Sequence, residues 1–297
     1  MTLSLQTFIT ESRNLASENI DMLSTIDMLT IINNEDKKVA QAIEQILPAI
    51  ADAVDLIQTT FNRGGRLIYC GAGTSGRLGI LDASECPPTF GSPAEQVVGI
   101  IAGGKTAILK AVENAEDNKQ AGQDDLQALQ LTDKDIVVGI AASGRTPYVI
   151  GAMAYAKQVG CKVISLCCNN NSEMSDIADV ALEAIVGPEV VTGSSRLKAG
   201  SAQKMILNML TTGAMIKTGK VFGNLMVDVQ ATNAKLIERQ KKIIMEATDC
   251  TREVAEAALT TSGNHCKTAI VMVLTGLDVQ QAKQMLASKK GFIRDCI

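Results

Sequence analysis

Residues 67–76 read Leu-Ile-Tyr-Cys-Gly-Ala-Gly-Thr-Ser-Gly, and this stretch decides the predicted fold. Its first four residues form a short apolar run that is typical of a buried strand. The glycines that follow allow a turn whose backbone N–H groups approach an anion closely. Thr74 and Ser75 add hydroxyl donors to that turn. The pattern therefore predicts a strand that ends in an anion-binding turn.

Four more short apolar runs follow along the chain, and each is typical of a buried strand. They are Val97–Ile101, Ile136–Ala141, Val163–Cys167 and, more weakly, Val180–Ile185. Because these runs are apolar throughout, we expect strands that are covered on both faces. The helices predicted between them are Thr106–Asn118, Pro147–Val159 and Glu173–Ile177. This alternation predicts an α/β fold with a five-stranded parallel sheet sandwiched by helices, whose ligands lie outside the carboxyl ends of the strands.

Helical patterns flank the predicted sheet on both sides. The pattern of residues 1–62 predicts helices, with Pro48 either bending the segment or starting a second helix. A long helix over Ser194–Thr218 and a loop over 219–233 precede four short helices at 234–248, 251–261, 266–274 and 278–290. We therefore predict an N-terminal helical region over 1–54, a central domain containing the sheet over 55–218, and a linker with a C-terminal helical bundle over 219–297.

The composition excludes several classes of protein. A net charge of −4, 3% aromatic residues and no Trp argue against a nucleic-acid surface. None of the eight cysteines forms a Cys-x-x-Cys pair, so we expect buried, reduced thiols and a cytoplasmic protein. No window approaches 18 uninterrupted apolar residues, and the first residues do not have the pattern of a signal peptide. We therefore expect no membrane partner.

The spacing Gly71-x-Gly73-x-x-Gly76 also fits a dinucleotide fingerprint, which is a weak signal when it stands alone. That fingerprint usually includes an acidic residue at the end of the second strand, whereas here the strand runs into Ala102-Gly103-Gly104. A sugar-phosphate pocket is the competing interpretation. It is favoured by a second strand–turn–helix sequence, in which Ser143, Gly144 and Thr146 precede Pro147. Two ordinary βα turns remain the alternative.

A third polar loop, residues 187–198, leads into the long predicted helix. Its Ser194 and Ser195 either contact a ligand or serve as helix N-caps.

Carboxylates are the candidates for proton transfer. Glu85 follows the glycine turn and precedes Cys86-Pro87-Pro88, which fixes its position. A second acidic group, Glu113-Asn114-Ala115-Glu116-Asp117, is expected near the end of the helix after the second strand, where a solvated helix face is the alternative. The single histidine, His265, is expected to pack among the C-terminal helices, and no cluster has the spacing of metal ligands.

Five segments together resemble the N-acetylmuramic acid 6-phosphate etherases, which belong to the sugar isomerase (SIS) superfamily of flavodoxin-like domains. The segments are GAGTSGRLG at 71–79, DASECPPT at 82–89, AVENAED at 111–117, AASGRTPY at 141–148 and TGSSRLKAG at 192–200. The resemblance covers nearly the whole chain. It implies a cofactor-free reaction, in which lactate is cleaved from N-acetylmuramate 6-phosphate with consumption of water. It also implies two catalytic glutamates, and the positions that match them in this sequence are Glu85 and Glu116.

The resemblance also suggests roles for the site residues. Glu116 would remove the C2 proton of the opened sugar, and Glu85 would protonate the departing ether oxygen and then handle water. One carboxyl must stay protonated near neutral pH, which requires a buried or like-charged setting. The phosphate would lie against Gly73, Thr74, Ser75, Ser143, Gly144, Thr146, Ser194 and Ser195.

Two other functions remain open from the sequence. A sugar-phosphate isomerase would use the same fold and also needs a base at C2, and a sugar-phosphate sensor would bind a partner protein instead of turning over. The segment Asp-Ala-Ser-Glu-Cys-Pro-Pro at 82–88 disfavours the isomerase, and the single SIS unit disfavours the sensor. We expect a homodimer with its site near the interface.

Overall fold

All five predicted strands form one parallel sheet in the computed structural model, which describes residues 9–229 and 234–297. The strands are β1 Leu67–Gly71, β2 Val97–Ile101, β3 Ile136–Ile140, β4 Lys162–Cys167 and β5 Val180–Glu183. Residues 1–8 and 230–233, which include the start of the predicted N-terminal helical region and the end of the predicted loop, lie outside the described residues.

The strand order is β2-β1-β3-β4-β5, which is the flavodoxin-like arrangement. The predicted fold class is confirmed. The chain leaves β1 toward β2 on one side and reaches β3 on the other, so the order reverses between β1 and β3. In such sheets ligands bind at the carboxyl ends of the strands next to this reversal.

Thirteen α-helices lie in the described ranges. They are α1 Thr25–Asp36, α2 Lys38–Glu44, α3 Leu47–Asn62, α4 Gly73–Phe90, α5 Gly104–Leu109, α6 Lys119–Ala128, α7 Pro147–Val159, α8 Glu173–Ile177, α9 Lys198–Lys217, α10 Ala234–Thr248, α11 Arg252–Thr261, α12 Cys266–Thr275 and α13 Val279–Ser288. Short 3₁₀ turns occur at Ile9–Glu11, Leu15–Ser17, Ile20–Met22 and Ile293–Cys296. Pro48 lies in the first turn of α3, so it starts a helix rather than bending one.

The predicted helix over Thr106–Asn118 is wrong beyond its first turn. Helix α5 ends at Leu109 because Lys110 is extended, with φ −133° and ψ 145°. Asn114 takes a left-handed φ of 59°, and the Asn118 side chain caps a separate helix, α6, by accepting a hydrogen bond from the Ala121 N–H. The acidic group around Glu116 therefore lies in a turn and not on a helix.

Contacts divide the chain into two units. The first contains Met1–Ser84 and Glu95–Leu210, and the second contains Glu85–Ala94 and Thr211–Ile297. The finer predicted division at residues 54 and 218 stays a prediction. In the first unit β1 and β3 are buried along their whole length, and Ile68, Val137 and Met153 belong to a core on one face of the sheet.

The second unit builds its own core from α10 to α13. Ile244, Ala269 and Ile270 are fully buried there. Gly276 ends α12 in the left-handed conformation with φ 73°. Seven of the eight cysteines are buried, and Cys250 is half-buried. Among the described residues, no helix combines the length and the apolar character needed to cross a bilayer.

Candidate active site

A cavity of about 510 Å³ opens in the first unit, beside the carboxyl ends of β1 and β3. Its lining combines hydroxyl groups with three carboxylates. The lining residues are Thr10, Glu11, Ala72, Gly73, Thr74, Ser75, Glu116, Asp117, Ala141, Ala142, Ser143, Arg145, Thr146, Pro147 and Ser195. The cavity thus lies where the strand order reverses, and it brings together seven of the predicted site residues.

The turn after β1 is tight because it contains glycine at the positions of closest approach. A Cβ atom at Gly76 would lie 2.5 Å from Cγ1 of Ile101 and 2.8 Å from the carbonyl oxygen of Gly71. Helix α4 can therefore begin at Gly73, directly beyond the strand. The first N–H groups of a helix have no partner within the helix and carry a partial positive charge, which favours an anion at this end of the cavity.

Ser75 is buried in the first turn of α4. Its hydroxyl donates to Oε1 of Gln203 on α9 at 2.9 Å. Gln203 is only 1% exposed, and its Nε2 has no hydrogen-bond partner among the residues that the structure describes. A reversed amide would donate from Nε2 to Ser75 and release the serine proton for a ligand. In the orientation observed, the Ser75 proton is engaged by Gln203.

The loop between β3 and α7 presents a second set of hydroxyls. Ser143 Oγ accepts a hydrogen bond from the Arg145 N–H at 3.2 Å, which leaves the serine proton for a ligand. Thr146 occupies the N-cap position of α7 without a side-chain capping bond. Gly144 has φ 71° and packs tightly against Ser172, so it shapes the loop and is not among the lining residues.

Glu116 reaches the cavity because its backbone is attached to α7. Its carbonyl oxygen accepts a hydrogen bond from the Tyr148 N–H at 3.0 Å, at the first turn of that helix. Helix α6, which follows the turn, packs closely on α7, because Gly122 contacts the Tyr148 backbone and Gly151 contacts the Lys119 backbone. The Glu116 side chain itself is exposed.

The third loop ends at a carboxylate and not at a serine cap. Glu189 is 1% exposed and accepts hydrogen bonds from the N–H groups of Lys198 and Ala199, at 3.0 and 2.9 Å. It therefore caps α9, in the favourable position for an anion at a helix N-terminus. The sequence leaves open that Ser194 and Ser195 serve as helix N-caps. The N–H groups of Lys198 and Ala199 are capped by Glu189 and not by either serine. Ser195 lines the cavity, and Ser194 is half-buried nearby in the same loop.

Glu85 lies on α4, is exposed and belongs to the second unit. Pro87 and Pro88 lie in the last turn of the same helix, and each removes a backbone donor there. The role of Glu85 stays a prediction.

Four polar lining residues are not among the site residues predicted from the sequence. Asp117 and Arg145 belong to segments that the sequence singles out but have no predicted role, and Thr10 and Glu11 lie far from every motif in the sequence. His265 is the N-cap of α12, where Nδ1 accepts a hydrogen bond from the Thr268 N–H. Within residues 9–229 and 234–297, no three His, Cys, Asp or Glu side chains form a group that could hold a metal ion.

Family models identify the sheet and its cavity as a SIS domain. The model of the glucokinase regulatory protein N-terminal SIS domain matches residues 49–157, and the SIS domain model matches residues 105–213. The solved structure of a phosphoheptose isomerase from Neisseria gonorrhoeae covers 64% of this chain and 98% of its own, with a TM-score of 0.50 and 19% identity. At that identity the likeness concerns the fold alone.

Relatives similar over the whole chain narrow the class. The N-acetylmuramic acid 6-phosphate etherase of Aliivibrio fischeri strain ES114 is 67% identical over 297 residues, which is 100% of this chain and 99% of the relative. That of Psychromonas ingrahamii is 68% identical over 292 residues, which is 98% of each chain. The chain belongs to the N-acetylmuramic acid 6-phosphate etherase family.

Proposed function

We propose that the protein cleaves the lactyl ether of N-acetylmuramic acid 6-phosphate, giving N-acetylglucosamine 6-phosphate and D-lactate, in the recycling of cell-wall amino sugars. The observation that carries the proposal is the single cavity that joins Glu116 to the hydroxyl groups of three loops. One end of such a cavity suits a phosphate, and the other suits proton transfer at a carbon. The full-length similarity to etherases favours this reaction over the isomerase and sensor alternatives.

The phosphate is anchored by the loops. The backbone N–H of Gly73 and the hydroxyls of Thr74, Ser75, Ser143 and Thr146 surround it, with Ser194 and Ser195 completing the cradle. Gly144 contributes by shaping its loop, because its N–H donates to the carbonyl oxygen of Ala141 at 3.0 Å. Dianionic phosphate at the first turns of α4 and α7 is favoured by the helix dipoles. Binding of this remote group orients the reacting carbons without taking part in the chemistry.

The reaction is an elimination followed by a hydration, which makes the enzyme a carbon–oxygen lyase. Opening of the sugar exposes the C1 aldehyde, which acidifies the proton at C2. Glu116 removes that proton, the electron pair forms a C2–C3 double bond, and the lactate oxygen leaves as Glu85 protonates it. Water then adds, with hydroxide to C3 and a proton to C2, so that one water is consumed and no cofactor is needed.

A homodimer completes the site in this proposal. Large apolar side chains are exposed along the N-terminal segment, with Leu15 82%, Met22 73% and Ile26 71% exposed. Such a group of apolar side chains is typical of a protein interface. Glu116, which lines the cavity, and Glu85, which is not among the lining residues, are both exposed in the single chain. A partner subunit that covers these side chains would supply the burial that keeps one carboxyl protonated. The eight cysteines, all within the described residues, are mostly buried and form no disulfides, which fits a reducing cytoplasm.

Turnover in ¹⁸O-labelled water tests the reaction. We expect N-acetylmuramate 6-phosphate to yield D-lactate without label and N-acetylglucosamine 6-phosphate with ¹⁸O at C3, because water adds to the carbon after the ether bond breaks. Mass spectrometry of both products measures the label. Label in lactate instead of the sugar would contradict the elimination, and conversion of aldose to ketose would favour the isomerase.

Ser143→Ala tests the phosphate cradle. A hydrogen bond to a charged group contributes about 1.5–3 kcal/mol, so we expect KM to rise about 10- to 100-fold with kcat little changed. Steady-state kinetics of lactate release measures both constants. Ser288→Ala, at an exposed serine of the second unit, is the control and should leave KM unchanged. An unaltered KM in Ser143→Ala removes this residue from the phosphate site.

A further inference from the structure

The segment Ile9–Ser17 is attached to the wall of the cavity by hydrogen bonds to residues that are distant in sequence. Thr10 is 2% exposed, its N–H donates to Asn169 Oδ1 at 3.4 Å, and its hydroxyl accepts from Asn169 Nδ2 at 3.1 Å. The same Nδ2 donates to the carbonyl oxygen of Ala142 at 3.0 Å. Asn169 thus joins the segment to the residue directly before Ser143.

The other end of the segment is attached to the third loop. Asn14 Nδ2 donates to the carbonyl oxygen of Pro188 at 3.1 Å, and Ser17 Oγ donates to that of Val190 at 2.9 Å. Asn14 and Ser17 are both buried. The segment therefore spans the two loops that carry Ser143 and Ser195, and its geometry is fixed at both ends.

Between these two attachments lies Glu11, which lines the cavity. Its carboxylate has no hydrogen bond or ion pair with any residue of 9–229 or 234–297. One carboxylate oxygen lies 3.0 Å from the position that a Cβ atom would take at Gly193. The absence of a side chain at Gly193 thus leaves room for this carboxylate. Glu11 contributes nothing visible to the fold of the described residues, yet the backbone around it is held by buried polar contacts.

We propose that Glu11 contacts the substrate and is a specificity-determining residue, which accepts a hydrogen bond from a neutral donor of the hexose, a hydroxyl or the acetamido N–H. The inference rests on the proposed function. An ionised carboxylate only accepts hydrogen bonds, and it is repelled by the phosphate and the lactyl carboxylate. The sugar's hydroxyl and amide groups are the donors that remain. Glu11 would hold the hexose in register while Glu116 reacts with C2.

The experiment compares Glu11→Gln and Glu11→Ala with Glu18→Gln. Glu18 is in the same stretch of chain, and its ion pair with Arg13 is 3.4 Å long and exposed, so its replacement should have no effect. We expect kcat/KM of both Glu11 variants to fall about 10- to 100-fold, mainly through KM, because one charge-assisted hydrogen bond is lost. Melting temperatures should stay at the wild-type value.

A second readout separates recognition from proton transfer. In D₂O, the ratio of C2 proton exchange to lactate release should be the same in Glu11→Gln as in the wild type. An unchanged kcat/KM in both Glu11 variants overturns the inference, and so does selective loss of C2 exchange, which would make Glu11 a base.

The inference and the proposed function can fail separately. If the wild-type protein releases no lactate, the proposed function fails. Titration with N-acetylglucosamine 6-phosphate by calorimetry then decides the role of Glu11. A weaker affinity in Glu11→Gln supports contact with the sugar, and an equal affinity in wild type and variant overturns it.

Discussion

Glu116→Gln is expected to lower lactate release and C2 proton exchange together, each by about 10²- to 10⁴-fold, which is the usual contribution of one positioned proton transfer. Glutamine keeps the size and shape of the glutamate side chain, but its amide cannot accept the C2 proton. Since deprotonation precedes departure of lactate, both readouts depend on it. NMR in D₂O follows deuterium at C2, and an enzymatic assay follows D-lactate in the same sample.

Glu85→Gln should separate the two readouts. Lactate release is expected to fall by a similar factor, because the ether oxygen leaves poorly without a proton donor. Exchange at C2 survives, because Glu116 still removes the proton. Glu113→Gln is the matched control for Glu116→Gln, since Glu113 is exposed in the same turn as Glu116 but does not line the cavity. Equal loss of both readouts in Glu85→Gln would contradict its role as the acid.

These expectations rest on a placement of Glu116 that the sequence predicts only in part. The acidic group at 113–117 is evident in the sequence, but the predicted helix would have continued through it. Three local features end that helix: the extended Lys110, the left-handed Asn114 and the cap at Asn118. Asparagine is common both in left-handed turns and at N-caps, so the signal was present in the residue types. The apolar and acidic spacing favoured a continuous helix instead.

The strands were predictable to within a few residues because burial on both faces of a parallel sheet requires uninterrupted apolar runs. Val180–Ile185 was the weakest of these predictions, and its strand is β5, Val180–Glu183, with only Leu182 fully buried. It lies at the edge of the sheet, where one side of the strand has no neighbour. Weak patterning at an edge strand therefore reflects its position.

The contribution of Thr10 and Glu11 to the cavity could not be predicted. The hydrogen bonds between Thr10 and Asn169 join residues that are 159 positions apart, and neither residue belongs to a pattern with a period. Lys198 is a similar case. Lysine is almost never fully buried unless it is paired, and its partner is 163 positions away on α1. Such pairings depend on the tertiary structure and leave no local signal.

Lys198→Met is expected to destabilise the protein by about 3–5 kcal/mol, which corresponds to a fall in Tm on the order of 10 °C. The side chain of Lys198 is 1% exposed, and its Nζ lies 2.5 Å from Oε2 of Glu35, which is 5% exposed. Removing the ammonium leaves a buried carboxylate without its main partner. Thermal and urea unfolding at pH 7 measure the change.

Lys38→Ala provides the control on the same carboxylate. Lys38 contacts the other oxygen, Oε1, at 2.6 Å, but its own side chain is 55% exposed. Water replaces an exposed partner, so we expect a loss of no more than about 1 kcal/mol. Equal losses of unfolding free energy in Lys38→Ala and Lys198→Met would show that burial of the lysine does not change its contribution to stability.

The pH dependence of stability tests the charge on Glu35. Burial raises the pKa of Glu35, but hydrogen bonds from Lys198 and Lys38 outweigh that effect and lower it from 4.5 to about 2. A lowered carboxyl pKa stabilises the fold above the unfolded-state value, and this contribution is lost as the pH falls from about 4.5 toward 2. The difference in stability between wild type and Glu35→Gln should be constant from pH 7 to 5 and shrink below 4.5. A difference that does not change with pH would contradict an ionised Glu35.

The double variant Glu35→Leu/Lys198→Met decides whether the pair stabilises the fold or only avoids a penalty. Two apolar side chains of similar volume leave no unpaired charge, and replacement of a whole buried ion pair is often neutral. We therefore expect the double variant to recover most of the stability that Lys198→Met loses. A double variant as unstable as the single one would mean that the pair contributes directly. The same samples report on function, because Lys198 begins α9, directly after the loop that holds Ser195. If the pair also positions that loop, the double variant will melt near the wild-type temperature but keep a raised KM.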